Sequence, residues 1–138
     1  MINIMRFRHL LICAMVLSLV AFGTSCKFSP EKKFIGKWQV VKVQERDSES
    51  PSLETVENYE DGQLALKLLN DGTSYVYSYG IPDKGDNWSY NKSSHTISYE
   101  GDEYTVDKIT FKEMIWVLKE DCGFGEWEEE RIVFKRVK

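Results

Sequence analysis

From Phe34 onward, large apolar residues recur at every second position over short stretches, the period of a half-buried β-strand rather than of a helix. The stretches are 34–44, 63–69, 73–79, 87–91, 95–99, 103–109, 114–119 and 131–137. They are rich in β-branched and aromatic residues, and turn residues separate most of them at short spacing. The pattern predicts eight antiparallel strands in a meander.

A hairpin turn fixes which residues share a face. Read as a two-residue turn, Asp71-Gly72 sets Leu68 opposite Tyr75, Leu66 opposite Tyr77 and Leu64 opposite Tyr79. Gly101-Asp102 likewise pairs Tyr99 with Tyr104 and Ile97 with Val106. A turn at 92–94 places Trp88 and Tyr90 on the face of Ile97 and Tyr99. Each hairpin gathers its large apolar residues on one side. With Trp38, Val40, Met114, Trp116, Leu118, Ile132 and Phe134 added, the expected interior has 19 residues, 10 of them aromatic. A long antiparallel sheet with one apolar face tends to close, since closure removes its edges. The expected fold is all-β, an eight-stranded antiparallel up-and-down β-barrel. Val41, Val43, Ile115, Val117, Val133 and Val137 would then form an apolar patch outside it. Leu53, Val56 and Tyr59 recur at every third residue and predict a short helix covering that patch.

The first 25 residues follow another pattern. Arg6, Arg8 and His9 precede 13 almost unbroken apolar residues, 10–22, then Gly23-Thr24-Ser25 and Cys26. Thirteen residues are too few to span a bilayer but suit the apolar region of a signal peptide. A small-residue run ending in cysteine resembles the lipobox of bacterial lipoproteins. That resemblance implies cleavage before Cys26, lipid on its sulfur, and anchoring in a membrane. Residues 1–25 are then a signal peptide, 26–33 a lipidated tether containing Pro30, and 34–138 one domain. Lys27 follows the cysteine where an Asp would favour inner-membrane retention, so the resemblance points to the outer membrane of the cell envelope.

Charge narrows the partners. The chain has 18 Lys and Arg against 22 Asp and Glu. Arg6 and Arg8 lie in the leader, which leaves 16 against 22, a net of −6, from Cys26 onward. Such a domain is a poor partner for nucleic acid and for anionic lipid headgroups. Of the three cysteines, Cys13 falls in the leader and Cys26 takes lipid, so Cys122 has no intramolecular partner.

Gly36-Lys37-Trp38 resembles the G-x-W motif of lipocalins, whose Trp plugs one end of the barrel. A strand ending in Asn70-Asp71-Gly72-Thr73, Trp88 at the head of a hairpin, and two strands within 104–118 extend the likeness to the short lipocalin-like domains of bacterial lipoproteins. The resemblance covers 34–138. It implies an arginine over the motif Trp, for which Arg136 and Arg131 are both placed.

Catalytic chemistry has little support, and no cofactor or metal is expected. His95 is the one histidine from Cys26 onward, and nothing marks a nucleophile beside it. It reads as a surface turn residue. Two binding readings remain open. An interior lined by Trp38, Tyr75, Tyr77, Tyr79, Trp88, Tyr90, Tyr99, Tyr104 and Trp116 would suit a small apolar or aromatic ligand, or would be filled by these side chains. The stretch 120–130 (EDCGFGEWEEE) reads as an acidic loop at the barrel mouth, either offering Phe124 and Trp127 to a ligand or a basic protein partner, or lying solvated with Trp127 folded back. The expected function is therefore that of a membrane-anchored, non-catalytic binding lipoprotein. The alternative is an interaction or inhibitor protein with a filled barrel, acting through that loop or the valine patch.

Overall fold

The computed structural model describes residues 31–138. The expected signal peptide, Cys26 and the first part of the tether lie outside the described residues. Ten strands follow a 3-10 turn at Lys32–Phe34: β1 (Gly36–Asp47), β2 (Glu54–Asn58), β3 (Leu64–Leu68), β4 (Ser74–Ser78), β5 (Ile81–Lys84), β6 (Trp88–Asn91), β7 (Thr96–Tyr99), β8 (Asp102–Ile109), β9 (Glu113–Gly123) and β10 (Glu126–Arg136). The all-β, antiparallel expectation holds, but there are ten strands rather than eight.

All ten belong to one curled sheet in the order β5-β4-β3-β1-β10-β9-β8-β7-β6. β1 is shared along one edge. Its Gly36–Gln39 half pairs with β3, and Lys42–Glu45 pairs with β2. β5 and β6 end the path, yet only residues 85–87 separate them. Curling brings these ends to the β3–β4 turn. There Gly85 N–H donates to Ser74 O (2.9 Å) and Trp88 N–H to Gly72 O (2.8 Å).

The two additional strands have physical causes. β2 replaces the expected helix at Leu53 to Tyr59. β1 runs beyond β3, and its exposed backbone groups need a partner. A bulge falls where the β1–β2 register slips between Val43 and Gln44, and it breaks the strict alternation. The segment lies along the edge of β1, not over the valine patch. β5 carries Pro82 and was not among the eight stretches read from the alternation. An edge strand tolerates proline, and there it blocks further pairing.

Two turns differ from expectation. The β3–β4 connection is a three-residue loop, with Leu69 N–H bonded to Thr73 O and Gly72 at φ +87°. Leu68 therefore faces Ser74, Leu66 faces Val76 and Leu64 faces Ser78. A slip of one residue reverses the faces of β4. Val76 is buried, whereas Tyr75 and Tyr77 lie on the outer side and Tyr79 sits exposed in the next turn. In β7–β8 the turn is Glu100-Gly101, both at positive φ, so Ile97 faces Tyr104 and Tyr99 faces Asp102. That slip is of two residues and leaves the faces unchanged. A bulge at Val41 in β1 turns Val43 inward, and it joins the core instead of the outer patch. Val41, Ile115, Val117, Val133 and Val137 stay outside, half-buried.

The acidic stretch 120–130 is not a loop. It continues β9 and β10 to a two-residue turn at Phe124-Gly125, with φ of +55° and +77°. Positive φ at both central residues is the twist a tight hairpin needs.

Candidate functional site

The domain has two unlike ends. At one, Gly36 opens β1 at φ +128°, and the bare backbone there leaves space for Arg136. A Cβ on Gly36 would lie 2.6 Å from Arg136 Nη1. The guanidinium carbon sits 4.2 Å from the centre of the Trp38 ring. Its nitrogens donate to the carbonyls of Phe111 (2.8 Å), Ile35 (2.8 Å) and Lys33 (2.6 Å). Trp38 Nε1 donates to Phe34 O at 2.9 Å. One arginine thus ties the chain entry, the β8–β9 turn and the end of β10 over a buried indole. Of the two arginines left open by sequence, Arg136 is the one over Trp38. Arg131 lies on the outer face, bonded to Asp107 at 2.8 Å.

Next to Trp38 the concave side is packed by its own rings. Trp116 lies 4.9 Å from Phe134, 5.2 Å from Tyr104 and 6.1 Å from Tyr99, centroid to centroid. Phe34 fills the gap beneath Trp88 and Tyr90, its ring 4.6 Å from that of Tyr90. Tyr99 reaches the seam where the ends of the sheet meet, 3.3 Å from Ser74 Oγ, and burial pushes its hydroxyl up to about 12. Burial, with the carboxylates of Asp86 and Asp102, pushes the neighbouring Glu100 up to about 8.

Toward the hairpin the concave face changes character. Val43 pairs with Ile132 in the core, and the next pairs on that face are Glu45 with Glu130 and Asp47 with Glu128. Glu120 lies beside Glu128 on β9. Burial raises the Glu45 carboxyl, and the like charges of Glu128 and Asp47 add to it. A cleft of about 200 Å³ opens beside Glu45, Asp47, Glu54 and Glu128. That is smaller than the 300–1,000 Å³ typical of small-molecule pockets.

The outer face of the same hairpin is braced. Arg46 grips Glu129 with two bonds of 2.9 and 3.2 Å, and Arg131 stands 3.8 Å from the same carboxylate. Lys119 Nζ lies 4.6 Å from the centre of the Trp127 ring. Ser48 N–H donates to Trp127 O at 3.0 Å, binding the hairpin to the β1–β2 connection. Trp127 is thus folded back and half-buried, while Phe124 stands fully exposed at the tip. Phe124 presents its ring to water from left-handed backbone at the turn.

Of the residues singled out by sequence, Trp38, Trp88, Tyr99, Tyr104 and Trp116 are buried together, and Tyr90 packs at their margin. Tyr75, Tyr77 and Tyr79 are not part of this interior. Tyr77 instead lies under Lys37, 3.9 Å from Nζ to ring centre. Phe34 and Arg136 were not among the interior residues read from sequence. His95 sits in the β6–β7 turn, 2.8 Å from the Tyr90 hydroxyl. Among the described residues no three His, Cys, Asp or Glu side chains are arranged to hold a metal ion, and no helix is long and apolar enough to cross a membrane. Cys122 is a free, exposed thiol near the tip.

In comparison with known proteins, the chain matches no family model, no curated protein and no solved structure.

Proposed function

We propose that this chain is a lipid-anchored, non-catalytic interaction protein of the cell envelope, built on a lipocalin-like barrel whose β9–β10 hairpin is the working part. Cys26 and the leader support the anchor, with the outer membrane as its location. The barrel reading is supported by Gly36-Lys37-Trp38 with Arg136 over the ring. It is also supported by the topology, since counting β2 with β3 and β5 with β6 as interrupted staves leaves eight positions around the curl.

The observation that carries the choice between cargo and partner is the fate of the tyrosines. Three of the six that would have lined a cavity are outside, and Tyr99 and Tyr104 are packed on Trp116. Toward the hairpin the concave face is lined by carboxylates, which resist burial against an apolar ligand. What remains on offer is a stiff hairpin with Phe124 at its tip and acidic residues along both strands. An apolar anchor ringed by one sign of charge suits a basic protein surface with a pocket for the ring.

The test is a photo-crosslinking amino acid at position 124 of the full chain, expressed in its own host, with position 92 as the exposed control. One discrete protein adduct at 124, lost in Glu126→Lys/Glu128→Lys, is the expected result. Equal, diffuse labelling at both positions would remove the hairpin from consideration.

A further inference from the structure

The sequence-wide charge hides a division between the ends. We propose that the Trp38 end is a second membrane contact, a surface that docks on anionic phospholipid headgroups. It rests on the reading that residues before Glu31 tether the chain to a membrane.

Phe111 occupies the β8–β9 turn with 78% of its surface exposed, in a cleft shared with Lys112, Lys135, Arg136 and Lys138. Lys112 and Lys138 are exposed, as are Lys32 and Lys33 where the chain enters the domain. Arg136 brings the two groups together, because it bonds both the Phe111 and the Lys33 carbonyls. The neighbouring carboxylates are partly answered within the protein: Glu113 by Lys108 at 2.7 Å and Asp61 by Lys135 at 3.0 Å. Four lysine ammonium groups and one protruding aromatic ring therefore share an end. The five inward carboxylates, Glu45, Asp47, Glu120, Glu128 and Glu130, lie toward the other.

Each lysine near an anionic bilayer adds to the attraction, and an aromatic ring settles at headgroup depth. The same field repels the acidic end, so the domain is oriented as well as held. A net of −6 argues against membrane binding only if the charge is spread evenly, and here it is not. Because the chain enters at this end, the tether presents the surface to the bilayer at high effective concentration, and a weak contact suffices. β9 is 11 residues long, so the Phe124 tip would stand roughly 35 Å from the lipid, clear for a partner.

The experiment uses the full chain reconstituted into vesicles of phosphatidylcholine, with or without phosphatidylglycerol. Flotation comes first, then lysine acetylation read by mass spectrometry. With phosphatidylglycerol, labelling of Lys112, Lys138, Lys32 and Lys33 should fall several-fold, while Lys119 near the hairpin keeps its reactivity. High salt, or Lys112→Glu/Lys138→Glu, should restore labelling of Lys32 and Lys33. Both lysines are exposed, and an unchanged circular dichroism spectrum verifies the fold. Protein that floats but labels equally on both lipids overturns the surface alone, as does protection that persists in detergent, which would indicate a protein contact. Protein that does not float overturns the tether reading and the surface with it.

Discussion

Arg136→Ala is expected to destabilise the domain by about 3 kcal/mol, a drop of roughly 15 °C in Tm for a domain of this size. The loss has two parts. The cation over Trp38 contributes up to about 2 kcal/mol where it is shielded from water. Its nitrogens also hold three carbonyls from separate parts of the chain, and alanine leaves these without that donor. Arg136→Lys keeps a charge near the ring but not the planar fork, and should recover less than half of the loss. Arg131→Ala is the control. It removes an outer-face pair with the half-exposed Asp107 and a longer contact with Glu129, which keeps both of its bonds to Arg46, and should cost about 1 kcal/mol. Urea unfolding of the three variants gives the comparison. Equal effects of Arg136→Ala and Arg131→Ala would mean that the cap over Trp38 is not structural.

The second large effect is expected at Trp116. Its ring touches Phe134, Tyr104 and Tyr99, and it is fully buried. Trp116→Ala should cost about 4 kcal/mol, from lost apolar burial and the cavity left behind. That is most of the stability of a marginal domain. Tyr77→Ala should cost less than about 1 kcal/mol, since Tyr77 lies outside against Lys37. The pair of variants distinguishes the observed β4 register from the one that Asp71-Gly72 suggests. In that other register Tyr77 would be a core aromatic and its loss nearly as damaging as that of Trp116. Denaturation midpoints at constant slope decide between the two.

These contrasts show what was legible in the sequence. Alternation alone located most strands, and it placed Trp38, Trp116, Ile132 and Phe134 inside, because a face buried along a whole strand leaves a clear period of two. It failed where one residue changes parity. Asn70-Asp71-Gly72 serves a two-residue or a three-residue turn, and the choice decides whether Tyr75 and Tyr77 or Ser74 and Val76 point inward. The tyrosines are larger and were the natural choice. Ser74 takes the inward place because its hydroxyl bonds Asp86 O at the seam, a contact distant in sequence. The bulge at Val41 moved Val43 across the sheet in the same way. In β7–β8 the turn was also misplaced, but by two residues, so the interior there was read correctly.

At the acidic hairpin the stretch 120–130 stood out by composition, while its conformation did not. Six acids in a row of eleven read as solvated loop. On a twisted hairpin they divide by parity. Glu129 meets Arg46 and Arg131 outside, while Glu120, Glu128 and Glu130 turn inward. Phe124 was a candidate from sequence. Its place at a stiff tip, opposite the chain entry, came only with the long β9–β10 register. The lysine-rich Trp38 end was hidden for a related reason. Lys33, Lys112 and Lys138 are far apart in the chain, and the pairing of β10 with β1 and β9, with Arg136 across them, brings their segments together.

The central claim is that the interior is filled by the protein's own side chains and that function lies on the surface. Native mass spectrometry of the full protein, extracted gently from its host in mild detergent, tests this most directly. The account predicts the mass of the polypeptide with its covalent lipid and no small molecule that leaves on denaturation. A stoichiometric apolar or aromatic compound, released on denaturation and displaced by an excess of a competitor, would contradict it.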